Sequence, residues 1–473
     1  MRHLTLFRWI GAWLLVTCIP TSARPQADDN PIRHSIESKV FGTQREVDVF
    51  LPVAYFGEDS ASTFVTAYVF DGQFEPYFTM VRSMMSYYEQ SGEGIPMIVV
   101  GIHTTDRWDE FVPVEGHGDT AQGADRLPAF LRTEVIPLIE ASYRTKPLRV
   151  AIGHSLGGTF VIHEMTKDDA LFHAGITASP NLTMDNDRMV NDARDYFLRN
   201  PGNNRFFHAM TGTVGKPETL FRGSLLHLDS IATSLHLPNM YWHCTVGKGL
   251  DHMGTFVPCF NEGYLALSAK LQLTDEELLR MAADSSTALV DALSKFHADA
   301  GKFLGEPPQP FGASEAMDHA RTLTQYGGYD QALNLYAYAE HTLGQDTLEG
   351  KRKREALKRL HDGRSWANFN AIAAKAKAKA DAGDYPEASR LYKEAFATGE
   401  KRGTHIVRIA SVPVFAQTNE IEEAFKQLEL LANYFKLGGN GSFINDTLCE
   451  PLHKDPRWAK WMKKLAGNAT LYK

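Results

Sequence analysis

Cysteine is scarce: four residues in a chain of 473, and none of them forms a C-x-x-C pair. That spacing, an H-E-x-x-H helix or a compact His and carboxylate cluster would signal a metal site, and none is present. The glycine signatures that cradle nucleotide phosphates are missing as well, so no cofactor is expected. Basic residues are in deficit, with 49 Lys and Arg against 57 Asp and Glu. This balance argues against nucleic acid as a partner, because that binding rests on clustered cations. No apolar run reaches the roughly 20 residues that a membrane-spanning helix needs.

The longest apolar run, Trp9 to Ile19, is about half that length. It follows Arg2 and Arg8 and ends in the small-residue exit Thr21-Ser22-Ala23, so residues 1–23 are expected to be a secretory signal. Cys18 raises lipid attachment as a lesser alternative, although Thr17 before it poorly suits lipoprotein cleavage. Removal of the segment takes away two positive charges and moves the net charge from -8 to -10. The expectation is an exported protein, periplasmic or secreted. Of the three remaining cysteines, Cys244 and Cys259 are near enough to close a short disulfide loop, and three buried thiols are the alternative.

The 450 residues after the signal exceed what one core usually supports, and their character changes once. Short β-branched and aromatic runs alternate with longer mixed segments up to about Gly247, the rhythm of an α/β fold with a mostly parallel sheet covered by helices on both faces. The clearest strands are expected at residues 63–70, 96–102, 148–152, 173–178, 205–211 and 240–246. Residues 46–51 alternate apolar and polar, as an antiparallel edge strand would. Beyond about Lys270, Ala, Leu, Glu and Lys recur at helical spacing. The expected organisation is an α/β domain over 24–270, a helical linker over 271–312 containing Pro307, Pro308 and Pro310, and an all-α domain over 313–473.

Within that last domain, Gly328-Tyr329-Asp330-Gln331-Ala332 is echoed by Asp384-Tyr385-Pro386-Glu387-Ala388 and by Ile421-Glu422-Glu423-Ala424. Ala388 and Ala424 are 36 apart, near the 34-residue tetratricopeptide period. Ala332 stands 56 before Ala388 and breaks that period. A degenerate tetratricopeptide-like array or an unspecialised helical bundle would each accommodate this pattern. Either could hold a protein partner or join two copies of the chain.

The chemistry-bearing motif is Gly153-His154-Ser155-Leu156-Gly157-Gly158, directly after the apolar strand ending at Ile152 and before a helical stretch. With 37 glycines in the chain a chance G-x-S-x-G is not rare, so the strand-to-helix context carries the inference. A serine hydroxyl attacks only when a base removes its proton, and in this fold the order is Ser, acid, His. His252 is the expected base, because it lies on a glycine-rich loop beyond a strand end, whereas His208 and His243 lie inside strands and His227 and His236 in helical or linking sequence. Glu218, just past the strand 205–211, is the expected acid, with Asp229 and Asp185 as rivals. Two backbone amides must meet the oxyanion. Leu156 supplies one, and Gln73 the other if Asp71-Gly72-Gln73 is more than an ordinary turn. Arg107 and His154 are candidate substrate contacts, and Arg107 could instead pair with Asp109 or Glu110.

Taken together, Tyr68-Val69-Phe70-Asp71-Gly72-Gln73-Phe74, Val99-Val100-Gly101-Ile102 followed by Arg107 and Pro113, the Ser155 turn and the His252 loop resemble a family of esterases. It includes the enterochelin (trilactone siderophore) esterases, feruloyl and acetylxylan esterases, S-formylglutathione hydrolase and the mycolyltransferases. The resemblance covers about residues 34–270, and Asp71-Gly72-Gln73-Phe74 is most similar to the siderophore branch. It implies an α/β-hydrolase fold and cleavage of a small-molecule carboxylic ester through an acyl-serine, without a cofactor. Some members carry a C-terminal tetratricopeptide-like region. Acyl transfer, a feruloyl or acetyl esterase, and a non-catalytic binding protein using the helices are the competing functions.

Overall fold

The computed structural model describes residues 30–57, 61–112, 123–307, 310–345, 350–400 and 404–469. The signal segment with Cys18, and Pro113, lie outside them. Two compact units form, one of residues 1–270 with Phe303–Gly305, the other of residues 271–302 and 306–473. Among the described residues no helix is long and apolar enough to cross a membrane.

The first unit is built on eight strands: β1 (Ile32–Glu37), β2 (Gln44–Phe50), β3 (Phe64–Phe70), β4 (Met97–Ile102), β5 (Thr145–His154), β6 (Ala174–Ala178), β7 (Arg205–Gly212) and β8 (Met240–Gly247). Their order is β1-β2-β4-β3-β5-β6-β7-β8. β1 and β2 pair antiparallel, as do β2 and β4. All later pairings are parallel. This is the α/β-hydrolase fold. Every residue of β3 and β4 is buried, which explains why both read as unbroken apolar runs. β1 gave no such signal, because it pairs on one side only and leaves most of its side chains in water.

Parallel pairing sends the C-terminal ends of β3, β5, β7 and β8 to one edge of the sheet, where ligands of such folds bind. Behind that edge the aromatic rings of Phe70, Phe111, Phe160 and Phe172 pack at 4.9 to 6.0 Å, mostly edge to face. The loop after β4 is fixed by a buried ion pair, Arg45 with Glu110 at 2.6 Å. Glu110 also accepts from the amides of Thr105 and Asp106, and Arg45 donates to the carbonyl of His103.

The second unit is all helical. The stretch expected as a linker, 271–312, is part of its core instead: helices Asp275–Ala283 and Leu289–Leu304 contribute Leu278, Leu289 and Leu293, which cluster with Phe311, Ala316, Leu335 and Ala339. Three helical hairpins follow, Ala313–Gln325 with Tyr329–Gln345, Gly350–Asp381 with Tyr385–Ala397, and His405–Gln417 with Ile421–Asn433. Each first helix ends in a left-handed residue, at Gly327, Gly383 and Asn419 with φ of 86°, 79° and 60°. The next amide then reaches back five residues, from Gly328 to Leu323, Asp384 to Lys379 and Glu420 to Phe415 at 2.8 to 2.9 Å. This is the same Schellman closure three times. Five residues beyond each left-handed position stands a fully buried alanine, Ala332, Ala388 and Ala424, small enough for the paired helices to approach. The broken period has a simple cause, since helix Gly350–Asp381 has 32 residues where its counterparts have 13.

Candidate active site

β5 delivers the chain straight into Ser155, whose φ of 57° and ψ of -121° are strained for a residue with a Cβ. Helix Leu156–Met165 starts at the next residue. The turn is held by the Ser155 amide, which donates to Ala178 at 2.9 Å. Gly153 is obligatory here, because a Cβ would lie 2.4 Å from the backbone carbon and oxygen of Gly157. Strand and helix therefore meet with no room between them, and the serine is pushed out at the sheet edge.

His252 follows β8 in a turn, and Glu218 lies in the first turn of helix Lys216–Ser234 after β7. The Nδ1 of His252 is 2.7 Å from Oε1 of Glu218, a carboxylate with no solvent exposure. Since an ionised carboxylate only accepts, Nδ1 donates to it, and in the neutral ring Nε2 keeps its lone pair. The second oxygen of Glu218 accepts from the Thr211 hydroxyl at 2.9 Å and from the Gly212 amide. Burial by itself would raise the Glu218 carboxyl, but bonds from His252, the Gly212 amide, Ser179 and Thr211 outweigh it and hold the pKa down to about 2. The two loops are stitched together, because the amides of Thr213 and Val214 both donate to the carbonyl of Leu250. The rival acids are engaged elsewhere: Asp229 with the Trp242 indole at 2.8 Å, Asp185 with Arg188 at 3.6 Å.

The expected oxyanion loop, Asp71-Gly72-Gln73, leaves β3 next to the Ser155 turn on the adjacent β5. A Cβ on Gly72 would come within 2.6 Å of the Gly101 backbone, so only glycine allows this loop to lie against β4. The Gly72 amide is committed to the Ile102 carbonyl at 2.8 Å, and the Gln73 side chain is tied to the Thr104 amide at 2.8 Å. Leu156 is the first residue of its helix, where the amide has no partner inside the helix and the dipole favours negative charge.

Three expectations need correction. Arg107 does not pair with Asp109 or Glu110, which bind Arg126 and Arg45. Its Nε lies 3.0 and 3.1 Å from the two oxygens of Asp71, and its Nη2 is 3.4 Å from the His154 carbonyl. Arg107 thereby clamps the Gly72 loop to the serine turn, and burial, partly offset by Arg107, raises the Asp71 carboxyl. His154 is no open substrate contact, being only 2% exposed. Its Nδ1 lies 2.6 Å from the Tyr77 hydroxyl and its Nε2 2.7 Å from the carbonyl of His252. Cys244 and Cys259 remain separate thiols. Cys244 packs with the core that holds Phe207 and Ala209, whereas the helix bearing Cys259 lies against Ile176 and His208, whose side chains alternate to the opposite face. Tyr77, Ser179 and Thr255 escaped notice in the sequence, where Tyr77 looks like one more apolar residue of the helix face it shares with Phe78, Val81 and Met85.

Residues 38–251 match the family model described as Putative esterase. The match lies within the first unit. The chain is similar in fold to the crystal structure of an IroE-like serine hydrolase from Shewanella oneidensis, at 18% identity and a TM-score of 0.51, over 66% of this chain and 99% of that one. It is likewise similar to an uncharacterised protein from Capnocytophaga ochracea, at 18% identity and a TM-score of 0.53, over 77% of this chain and 93% of that one. No curated protein matches the chain. The family match makes the protein a carboxylic ester hydrolase, and the structural neighbours share its fold.

Proposed function

We propose that the esterase cleaves its ester through an acyl intermediate on Ser155, with His252 as base and Glu218 orienting it. The Nε2 of His252 takes the hydroxyl proton as Ser155 Oγ attacks the carbonyl carbon. The amides of Leu156 and Gln73 receive the oxyanion, and His252 returns the proton to the departing alcohol. Water, deprotonated by the same nitrogen, then releases the acid. The observation that carries this reading is the buried Glu218 carboxylate 2.7 Å from Nδ1 of His252, on the edge where Ser155 is turned outward.

For substrate, a siderophore-type lactone ester is the best-supported class, from the likeness of residues 71–74 to the siderophore branch. A panel of aryl, sugar acetate, feruloyl and trilactone esters tests it, the trilactone being expected to give the highest kcat/KM. A fluorophosphonate should label the protein and fail on Ser155→Ala, and labelling that survives this substitution refutes the acyl-serine. Added alcohol distinguishes hydrolysis from acyl transfer by the product formed. We read the three hairpins as a tetratricopeptide-like array open to a protein partner, and residues 1–23 as an export signal. N-terminal sequencing of secreted or periplasmic protein checks the latter.

A further inference from the structure

We infer that His154 is a positioning residue, a single-tautomer imidazole that latches the backbone of the base His252 to the residue adjoining the nucleophile Ser155. The inference rests on the proposed roles of Ser155 and His252 and adds a device that neither requires by itself. His154 is covalently next to Ser155, and its ring reaches 98 positions along the chain to the carbonyl of His252 at 2.7 Å. One side chain thus links the residue before Ser155 to the backbone of His252.

The partners fix the proton. A carbonyl has none to give, so Nε2 of His154 must be the donor. In the neutral ring Nδ1 is then an acceptor, and the Tyr77 hydroxyl at 2.6 Å donates to it. The His252 carbonyl therefore selects the tautomer, and the Tyr77 hydroxyl satisfies the lone pair left on Nδ1. The ring stays neutral, because burial drives its pKa down to about 4, the carbonyl of His252 opposing and the charges of His252 and Arg107 adding to the fall. With both nitrogens occupied and 2% of its surface exposed, His154 is not itself a base. Neutrality also matters to its neighbour. The two imidazole centroids are 4.5 Å apart, and a charged His154 would oppose the imidazolium that forms on His252 during attack.

The latched carbonyl has a second donor. The same carbonyl accepts from the Thr255 hydroxyl at 2.9 Å, and Thr255 meets the Ser179 hydroxyl at 2.8 Å. Separately, Glu218 holds Nδ1 of His252. Ring and backbone of the base are gripped at once, one by the acid and the other by His154.

The test compares His154→Phe, His154→Gln and Tyr77→Phe, with active sites titrated by a fluorophosphonate and turnover followed on an aryl ester. His154→Phe should lower kcat per titrated site by about tenfold to a hundredfold, the scale of a slightly misplaced base, with KM little changed. His154→Gln, whose amide N–H can reach the carbonyl, should recover much of that loss. Tyr77→Phe strips the buried Nδ1 lone pair of its donor, loosens the ring and should cost about tenfold. A wild-type kcat per titrated site in His154→Phe, whatever its melting temperature, overturns the inference, as does a Gln variant no better than Phe. If His154→Phe does not fold, Tyr77→Phe decides alone, an unchanged kcat per site counting against the latch. Turnover retained by Ser155→Ala would instead refute the nucleophile assignment, a separate failure.

Discussion

Glu218 Oε1 stands 2.7 Å from His252 Nδ1 while Oε2 of the same carboxylate is saturated by the Thr211 hydroxyl and the Gly212 amide. Glu218→Gln would place an amide N–H against one of these donors, the imidazole or the pair that holds Oε2. We expect kcat to fall on the order of a thousandfold with the fold intact, as measured by ester turnover alongside circular dichroism.

The same carboxylate makes stability depend on acid. Its pKa is held at about 2 against an ordinary 4.5, so its contribution is complete above about pH 4.5 and disappears as the pH falls towards 2. Melting temperatures recorded across that window should drop more steeply for the wild type than for Glu218→Gln. Parallel curves would mean that the carboxylate titrates normally in the folded state.

Arg107 and Asp71 form a pair that is buried on the acid side and about 40% exposed on the other. Arg107→Met leaves a buried carboxylate without its cation and should cost roughly 2 kcal/mol, between the values for exposed and buried pairs. Asp71→Asn in the same chain should restore part of it. Urea midpoints of the single and double variants measure the coupling.

Two glycines of the serine turn should behave oppositely. Gly153→Ala forces a Cβ to 2.4 Å from backbone that cannot yield, and should lose about 3 kcal/mol or fail to fold. Gly157→Ala meets its nearest neighbour, an Asp71 carboxylate oxygen, at 3.5 Å, and should change stability by less than about 1 kcal/mol. Thermal melts of the two variants suffice.

Cys244, Cys259 and Cys449 should all be alkylated after denaturation without reductant, and reductant should leave the melting temperature of the native protein unchanged. Burial pushes the Cys244 thiol up to about 12, so alkylation of the native protein should be slow. Mass spectrometry of alkylated peptides reads both.

Where side chains face a core on both sides of the sheet, the pattern of residues announced the fold: β3, β4 and β6 begin and end within one residue of the apolar runs that mark them. β1 was silent because an edge strand in water obeys no such pattern. At the site, Ser155 was legible from its glycines, and His252 and Glu218 from the chain order of strand-end loops. The fold brings the last two within 2.7 Å of each other. Arg107 and His154 were visible as polar residues near the site, but their partners were not, since Asp71 and Tyr77 come from a loop and a helix that only tertiary packing brings there. The helical period failed for a similar reason, because a helix can lengthen by whole turns without altering the joint that closes its hairpin.

That long helix, Gly350–Asp381, gives Leu360 and Ala367 to the cluster of the first hairpin and Ala376 to the cluster of the last. A single rod of 32 residues, about 48 Å at 1.5 Å per residue, therefore skewers two apolar centres. Neither centre can melt without stripping one end of the rod, so the helical unit has no seam along which to part into independently folded halves.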